Sequence, residues 1–201
     1  MKSSACPKKW GYTTMNSAVY DACVLFSGSL RDFLLRLASN KLVVPFWSEE
    51  IQSEWVRSLL EKRPGLKREN LERTCREMNL HFPNALVHGY ESLIPSLELP
   101  DPDDRHVLAV AIHANVDCIV TNNLKDFPAA ALKSCKIEIL LPDEFALRLW
   151  KKDQPLFLKA VRNHRANLSR PPKTADEYIA TLEEQGLSKT VAFLRQHKAD
   201  I

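Results

Sequence analysis

The stretch Leu99-Pro100-Asp101-Pro102-Asp103-Asp104-Arg105-His106-Val107-Leu108-Ala109-Val110-Ala111 places three carboxylates where an apolar helix begins. Asp101 followed by Pro102 has the form of a helix cap with proline in the first turn, and acids at Asp103 and Asp104 favour the positive end of the helix dipole. Asp104 stands apart from its neighbours. It shares a helical face with Val107, Leu108 and Ala111, which must pack inward, so it is expected to point toward a sheet edge and away from water. Further out along the chain, Asp21, Glu54 and Asp126 each fall at or near the end of an expected element. Acids gathered at one sheet edge supply the all-oxygen ligands that a hard divalent cation takes.

Upstream, Ser17 to Tyr20 reads as a short buried strand closed by Asp21 and placed at the sheet centre. Cys23 to Phe26 continues an apolar strand-like pattern into the Ser27-Gly28 turn, and a helix starts near Ser29 with Leu30, Phe33, Leu34 and Leu37 on one face. Leu42 to Trp47 reads as a second strand. Ser48 caps a helix with the stripe Ile51, Trp55 and Leu59, and Glu54 lies about 60° from Ile51, on the border of that stripe. A polar helix over 67–79 is expected to clamp over the sheet. Downstream, a helix over 102–115 leads to a strand over 117–121, a loop over 122–127, a short helix and a strand over 137–141. Strands alternating with helices predict an α/β fold with a central parallel sheet flanked by helices. From Pro142 the chain is expected to be helical, broken at Pro171-Pro172. A capping box from Thr174 to Glu177 opens the next helix, Gly186 closes it, and the last helix runs over 187–197. The expected organisation is a disordered leader over 1–14, a catalytic domain over 15–143 and an all-helical C-terminal extension over 144–201.

With 201 residues and 45% hydrophobic content the chain can bury a core. Its apolar runs are far shorter than the ~20 residues of a membrane span, and no secretory signal is evident at the start. The five cysteines have no metal-type spacing, and Cys23 and Cys118 lie in apolar patterns, so reduced, mostly buried thiols in a cytoplasmic protein are expected. Five glycines form no phosphate-binding loop. The net charge of +3 is uneven. Between Trp150 and Lys173, seven Lys or Arg face the single acid Asp153, a local +6 that leaves −3 elsewhere. Such a block suits a polyanionic substrate, and equally a solvated helix face.

Taken singly, Asp21 is also a strand-ending turn residue, Glu54 a surface helix residue and Asp126 a loop acid. Taken together, crowded carboxylates raise one another's pKa unless a cation neutralises them, which points to bound Mg²⁺ or Mn²⁺.

The strand ending in Asp21, the helix carrying Glu54, the Asp-Pro-Asp-Asp-Arg-His run through Asp104, and Ile-Val-Thr-Asn-Asn-Leu-Lys-Asp-Phe-Pro over 119–128 together resemble a PIN-domain nuclease. The similarity is to the larger VapC-type toxins of bacterial type II toxin–antitoxin pairs, which carry a helical C-terminal extension. The resemblance implies a metal site at Asp21, Glu54 and Asp104. The fourth acidic role lies between Asn123 and Asp126, Thr121 borders the site, and Asp103 is a further candidate ligand. It also implies a Mg²⁺- or Mn²⁺-dependent endoribonuclease leaving a 5′-phosphate and a 3′-hydroxyl, a cognate antitoxin over the acid cleft, and homodimerisation. Arg105, His106, Lys151, Lys152, Arg162 and Arg165 are candidate substrate contacts. Two other readings stay open: a catalytically silent RNA-binding or regulatory module using the basic block, and a metal-dependent phosphatase. Asp21-Ala22-Cys23 lacks the second acid two positions on that a phosphoaspartate nucleophile normally has.

Overall fold

The computed structural model describes residues 16–132, 135–168 and 171–201; the expected leader over 1–14 lies outside them, as does Arg170 of the basic block. Strand β1 (Asn16–Tyr20) is followed by a helical turn α1 (Ala22–Leu25) and helix α2 (Gly28–Ser39), then β2 (Val43–Phe46). Three helices follow, α3 (Glu49–Lys62), α4 (Arg68–His81) and α5 (Arg105–His113). Strand β3 (Cys118–Val120), the short α6 (Ala129–Leu132) and β4 (Glu138–Leu140) complete the sheet region. The C-terminal part holds α7 (Pro142–Lys152), α8 (Gln154–Asn167), α9 (Ala175–Glu184) and α10 (Ser188–Gln196).

The four strands are all parallel in the order β2-β1-β3-β4, so β1 is central. Register is pinned at the start of β1, where Asp117 accepts from the Ser17 backbone N–H and hydroxyl, each at 3.0 Å. Ala18, Val19 and Tyr20 are fully buried, as a parallel strand covered by helices on both faces requires. Helix α5 packs on β1 and β3, and Val107 to Ala111 are all buried, so this short helix runs through the core. Tyr20 packs edge-on against Phe145 of α7 at 6.2 Å and donates to the Leu34 carbonyl of α2. Helix α8 lies along α2, with Phe157 between Phe33 and Trp150. The C-terminal helices therefore share the core of the sheet region. No described helix is long and apolar enough to cross a membrane.

Several expectations are corrected. Residues 22–25 form a helical turn, not strand: Asp21 ends β1 and its carbonyl accepts from the Val24 and Leu25 N–H groups. Cys23 is half-buried in that turn, as are Cys75 and Cys135 elsewhere, and Cys118 is the buried one among the described cysteines. Helix α4 packs along α3 with Leu71 and Met78 buried, and its Asn79 accepts from the Trp47 indole N–H just beyond β2. The helix expected over 102–115 starts as a 3-10 turn over Pro102–Asp104 and ends at His113, since Asn115 adopts a left-handed φ of 51°. The capping box of Thr174 and Glu177 is present.

Candidate active site

The C-terminal ends of β1 and β3 deliver Asp21 and Thr121 side by side, which is where open parallel sheets bind ligands. Asp21 is buried, and its Oδ2 accepts from the Thr121 hydroxyl at 2.6 Å and from the Cys23 thiol at 3.0 Å. The thiol in turn accepts from the Asn122 backbone N–H. Both donors act on one carboxylate oxygen, so Asp21 is held in a single orientation. Burial raises the Asp21 pKa, the Cys23 and Thr121 hydrogen bonds oppose that rise, and the charge of Glu54 adds to it. Burial also pushes the Cys23 thiol up to about 12, with the Asp21 charge adding, so it stays protonated as a donor.

Across the cleft, Asp101 caps the 3-10 turn by accepting from the Asp103 N–H at 2.9 Å. Carboxylate oxygens of Asp101, Asp104 and Asp126 all lie within 4.8 Å of one another. Asp126 is 9% exposed and accepts from the Asn123 amide, so the two candidates for the fourth acidic position are joined. Asp104 Oδ2 is buried with no hydrogen-bond partner among the described residues. Desolvation, followed by the charges of Asp21, Asp126, Asp101 and Glu54, raises the Asp104 carboxyl to about 7.

Asp101 and Asp104 open into a cleft of about 550 Å³, lined on one side by Glu50, Ser53, Glu54 and Arg57 of α3 and on the other by Asp101 to Asp104. His106 and Asn123 line it as well. His106, a candidate substrate contact, is 6% exposed, with Nε2 at 3.4 Å from Glu54 and Nδ1 at 3.8 Å from Glu50. Burial alone would lower its pKa, but the Glu54 hydrogen bond and the charges of Glu50, Glu54 and Asp21 outweigh it and raise the value.

The structure thus brings together Asp21, Glu54, Asp104, Asp126, Thr121, Asn123 and His106, with Asp103 on the cleft wall. It adds Asp101, which the sequence reads as a cap, and Glu50 and Arg57, which share a helix face with Glu54 at i, i+4 and i+7. That spacing is a signal the sequence did carry. Arg57 is exposed and forms no ion pair among the described residues. The basic block is elsewhere. Lys151, Lys152, Arg162 and Arg165 do not line the cleft: Arg162 Nε donates to the Asp200 carbonyl and Arg165 Nη1 to that of Lys173, tying the C-terminal helices together. Arg105 is half-buried beside Asp104, its Nε without a partner among the described residues.

Comparison with known proteins gives two family matches. The family described as "PIN domain" matches residues 17–125, and that described as "VapC50 C-terminal domain" matches residues 142–196. The chain is similar to a Mycobacterium tuberculosis (strain ATCC 25618 / H37Rv) protein named "Putative ribonuclease VapC50", 46% identical over 63 residues. That alignment covers 31% of this chain and 37% of the relative's length. No solved structure matches the chain.

Proposed function

This chain belongs to the PIN domain family, and from that premise we propose that it is a metal-dependent endoribonuclease acting as the toxin of a bacterial toxin–antitoxin pair. The observation that carries the reading is Asp104. A buried carboxylate oxygen with no partner among the described residues, beside oxygens of Asp101 and Asp126 within 4.8 Å, is a set of hard donors whose mutual repulsion a cation relieves. The residues present therefore fit Mg²⁺ or Mn²⁺, held by Asp104 with Asp21, Asp126 and Asp101, and with Glu54 directly or through water.

When bound, such an ion lowers the pKa of an attacking water and neutralises the charge that grows on the phosphorane and the leaving oxygen. The protein supplies the orientation. Thr121 and Cys23 donate to one oxygen of Asp21 and fix its orientation at the end of β1. Asn123 holds Asp126, and His106 holds Glu54. Arg57, at the rim of a cleft otherwise rich in acids, gives an RNA phosphate a cationic contact that lets the polyanion approach. The domain reading accompanies this proposal: catalysis within 15–143, with 144–201 as the extension that buttresses α2. An antitoxin covering the acid cleft, and a second copy of the chain, are the protein partners it implies.

The test is a cleavage time course on transfer and ribosomal RNA with wild type and Asp104→Asn, in Mn²⁺ or Mg²⁺ and then with chelator. Discrete cuts requiring both the metal and Asp104 are expected. RNA binding without cutting, in protein free of antitoxin, would replace the enzyme with a silent RNA-binding module.

A further inference from the structure

His106 belongs to the segment that carries Asp104, and its ring reaches across to two glutamates on α3. Its Nε2 lies 3.4 Å from Glu54 Oε2 and its Nδ1 3.8 Å from Glu50 Oε2, both on α3. Glu50 Oε2 is held from behind by the Tyr90 hydroxyl at 3.2 Å. The imidazole is 6% exposed, and its Nδ1 has no hydrogen-bond partner among the described residues. Helices α3 and α5 flank the cleft without packing closely on each other. His106 is a side chain of α5 that reaches α3.

We infer that His106 is a positioning residue, a strut between α5 and α3 that fixes Glu54 at a set distance from Asp104 and so sets the width of the metal cleft. The inference rests on the proposed metal-dependent reading of that cleft. Three features favour a strut over a substrate contact. Both ring nitrogens point at glutamates, which would repel a phosphate. The ring is 6% exposed, whereas Arg57, lining the same cleft, is exposed. A buried imidazole is costly unless its N–H groups are used, and the carboxylates of Glu54 and Glu50 are the acceptors within reach. Ligating carboxylates are commonly held by such an outer partner, whose loss weakens metal affinity or activity by about 10–100-fold.

The experiment uses the full chain with His106→Leu and His106→Gln; the glutamine amide is a neutral donor that can reach the Nε2 position. Mn²⁺ affinity is read by the electron paramagnetic resonance signal of free Mn²⁺, folding by thermal melting, and catalysis as separate kcat and KM values on RNA. His106→Leu is expected to weaken Mn²⁺ binding about 10–100-fold and to lower kcat, while KM for RNA stays within about twofold. His106→Gln is expected to recover most of the affinity. Unchanged Mn²⁺ affinity in His106→Leu overturns the inference, as does a rise in KM alone, which would make His106 a substrate contact. A folded His106→Gln as defective as His106→Leu overturns it too, because a neutral donor would then not suffice. Should wild type bind Mn²⁺ but cut no RNA, the ribonuclease reading fails by itself and the Mn²⁺ affinities of the two variants decide the strut.

Discussion

Asp104 in the cleft and Asp143 at the start of α7 are both acids taken largely out of water, and their surroundings are opposite. Asp143 is 8% exposed and fully used. Its Oδ1 accepts from the Thr190 N–H and hydroxyl at 2.8 and 2.7 Å, and its Oδ2 from the Lys189 N–H at 2.8 Å. Those N–H groups open α10, whose own cap residue, Leu187, has no side chain to offer, so α7 caps α10 in space. Asp104 has an oxygen with no partner among the described residues and four acids nearby. Burial alone therefore does not tell the two acids apart. The accounting of partners does, because an under-satisfied carboxylate is free energy that a cation can recover.

The largest expected effect tests the first half of that contrast. Asp104→Asn is expected to lower metal-dependent RNA cleavage on the order of 10³-fold or more, a loss of several kcal/mol of transition-state stabilisation, with the fold retained. Single-turnover cleavage at saturating Mn²⁺ measures it. Near-normal cleavage would make the unpartnered oxygen irrelevant to catalysis. The second half predicts the reverse for Asp143→Ala. Leaving the Lys189 and Thr190 N–H groups without acceptors is expected to cost about 2–4 kcal/mol, seen as a melting temperature lower by roughly 5–10 °C. Below that melting point cleavage should stay within a few-fold of wild type, so an inactive but folded Asp143→Ala would erase the distinction.

The same contrast explains what the sequence could and could not reveal. Asp21 and Asp104 were legible because each ends or opens an apolar element, and strand alternation with helices placed them at one sheet edge. Asp101 was legible only as a cap: it does cap Asp103, and its second role depends on Asp126 folding back from a loop 25 positions later. The inward turn of His106 was not legible, because polar Arg105 and His106 precede the apolar run, and the 3-10 start rotates them relative to an α-helix drawn from Pro102. The trans cap by Asp143 was invisible for a similar reason. In sequence it is an acid in the first turn of its own helix, and its partners lie 46 and 47 residues away.

Cations sharpen the comparison at the next level of effect. Arg57 lines the cleft, whereas Lys151 and Lys152 are exposed at the end of α7 and do not line it. Arg57→Ala is expected to raise KM for RNA about tenfold, the worth of one charge-assisted contact to phosphate. The double change Lys151→Ala with Lys152→Ala is expected to move KM by less than about threefold, in a salt-sensitive way. A larger effect from the lysines would give the basic block of the extension the substrate role and make Arg57 a bystander.

The smallest effect is the most direct reading of Asp104 itself. In the folded, metal-free protein its carboxyl titrates at about 7, whereas an unfolded-chain aspartate titrates near 3.9. Between those values the folded state binds a proton that the unfolded state has released. The stability this group contributes is therefore fully present below about pH 4 and is lost as pH rises through 7. Asp104→Asn removes the titration. In chelator the variant and wild type are expected to melt together near pH 4–5, and the variant to melt about 2–4 °C higher by pH 8, roughly 1 kcal/mol once solvent screening of this half-buried group is allowed for. Adding Mn²⁺ at pH 8 should reverse the order, because a ligand bound only by the folded wild type raises its melting temperature. A difference in melting temperature that stays flat from pH 5 to 8 would mean that the Asp104 charge is already compensated, which would place it with Asp143 as a structural acid and remove the physical basis for a cation in the cleft.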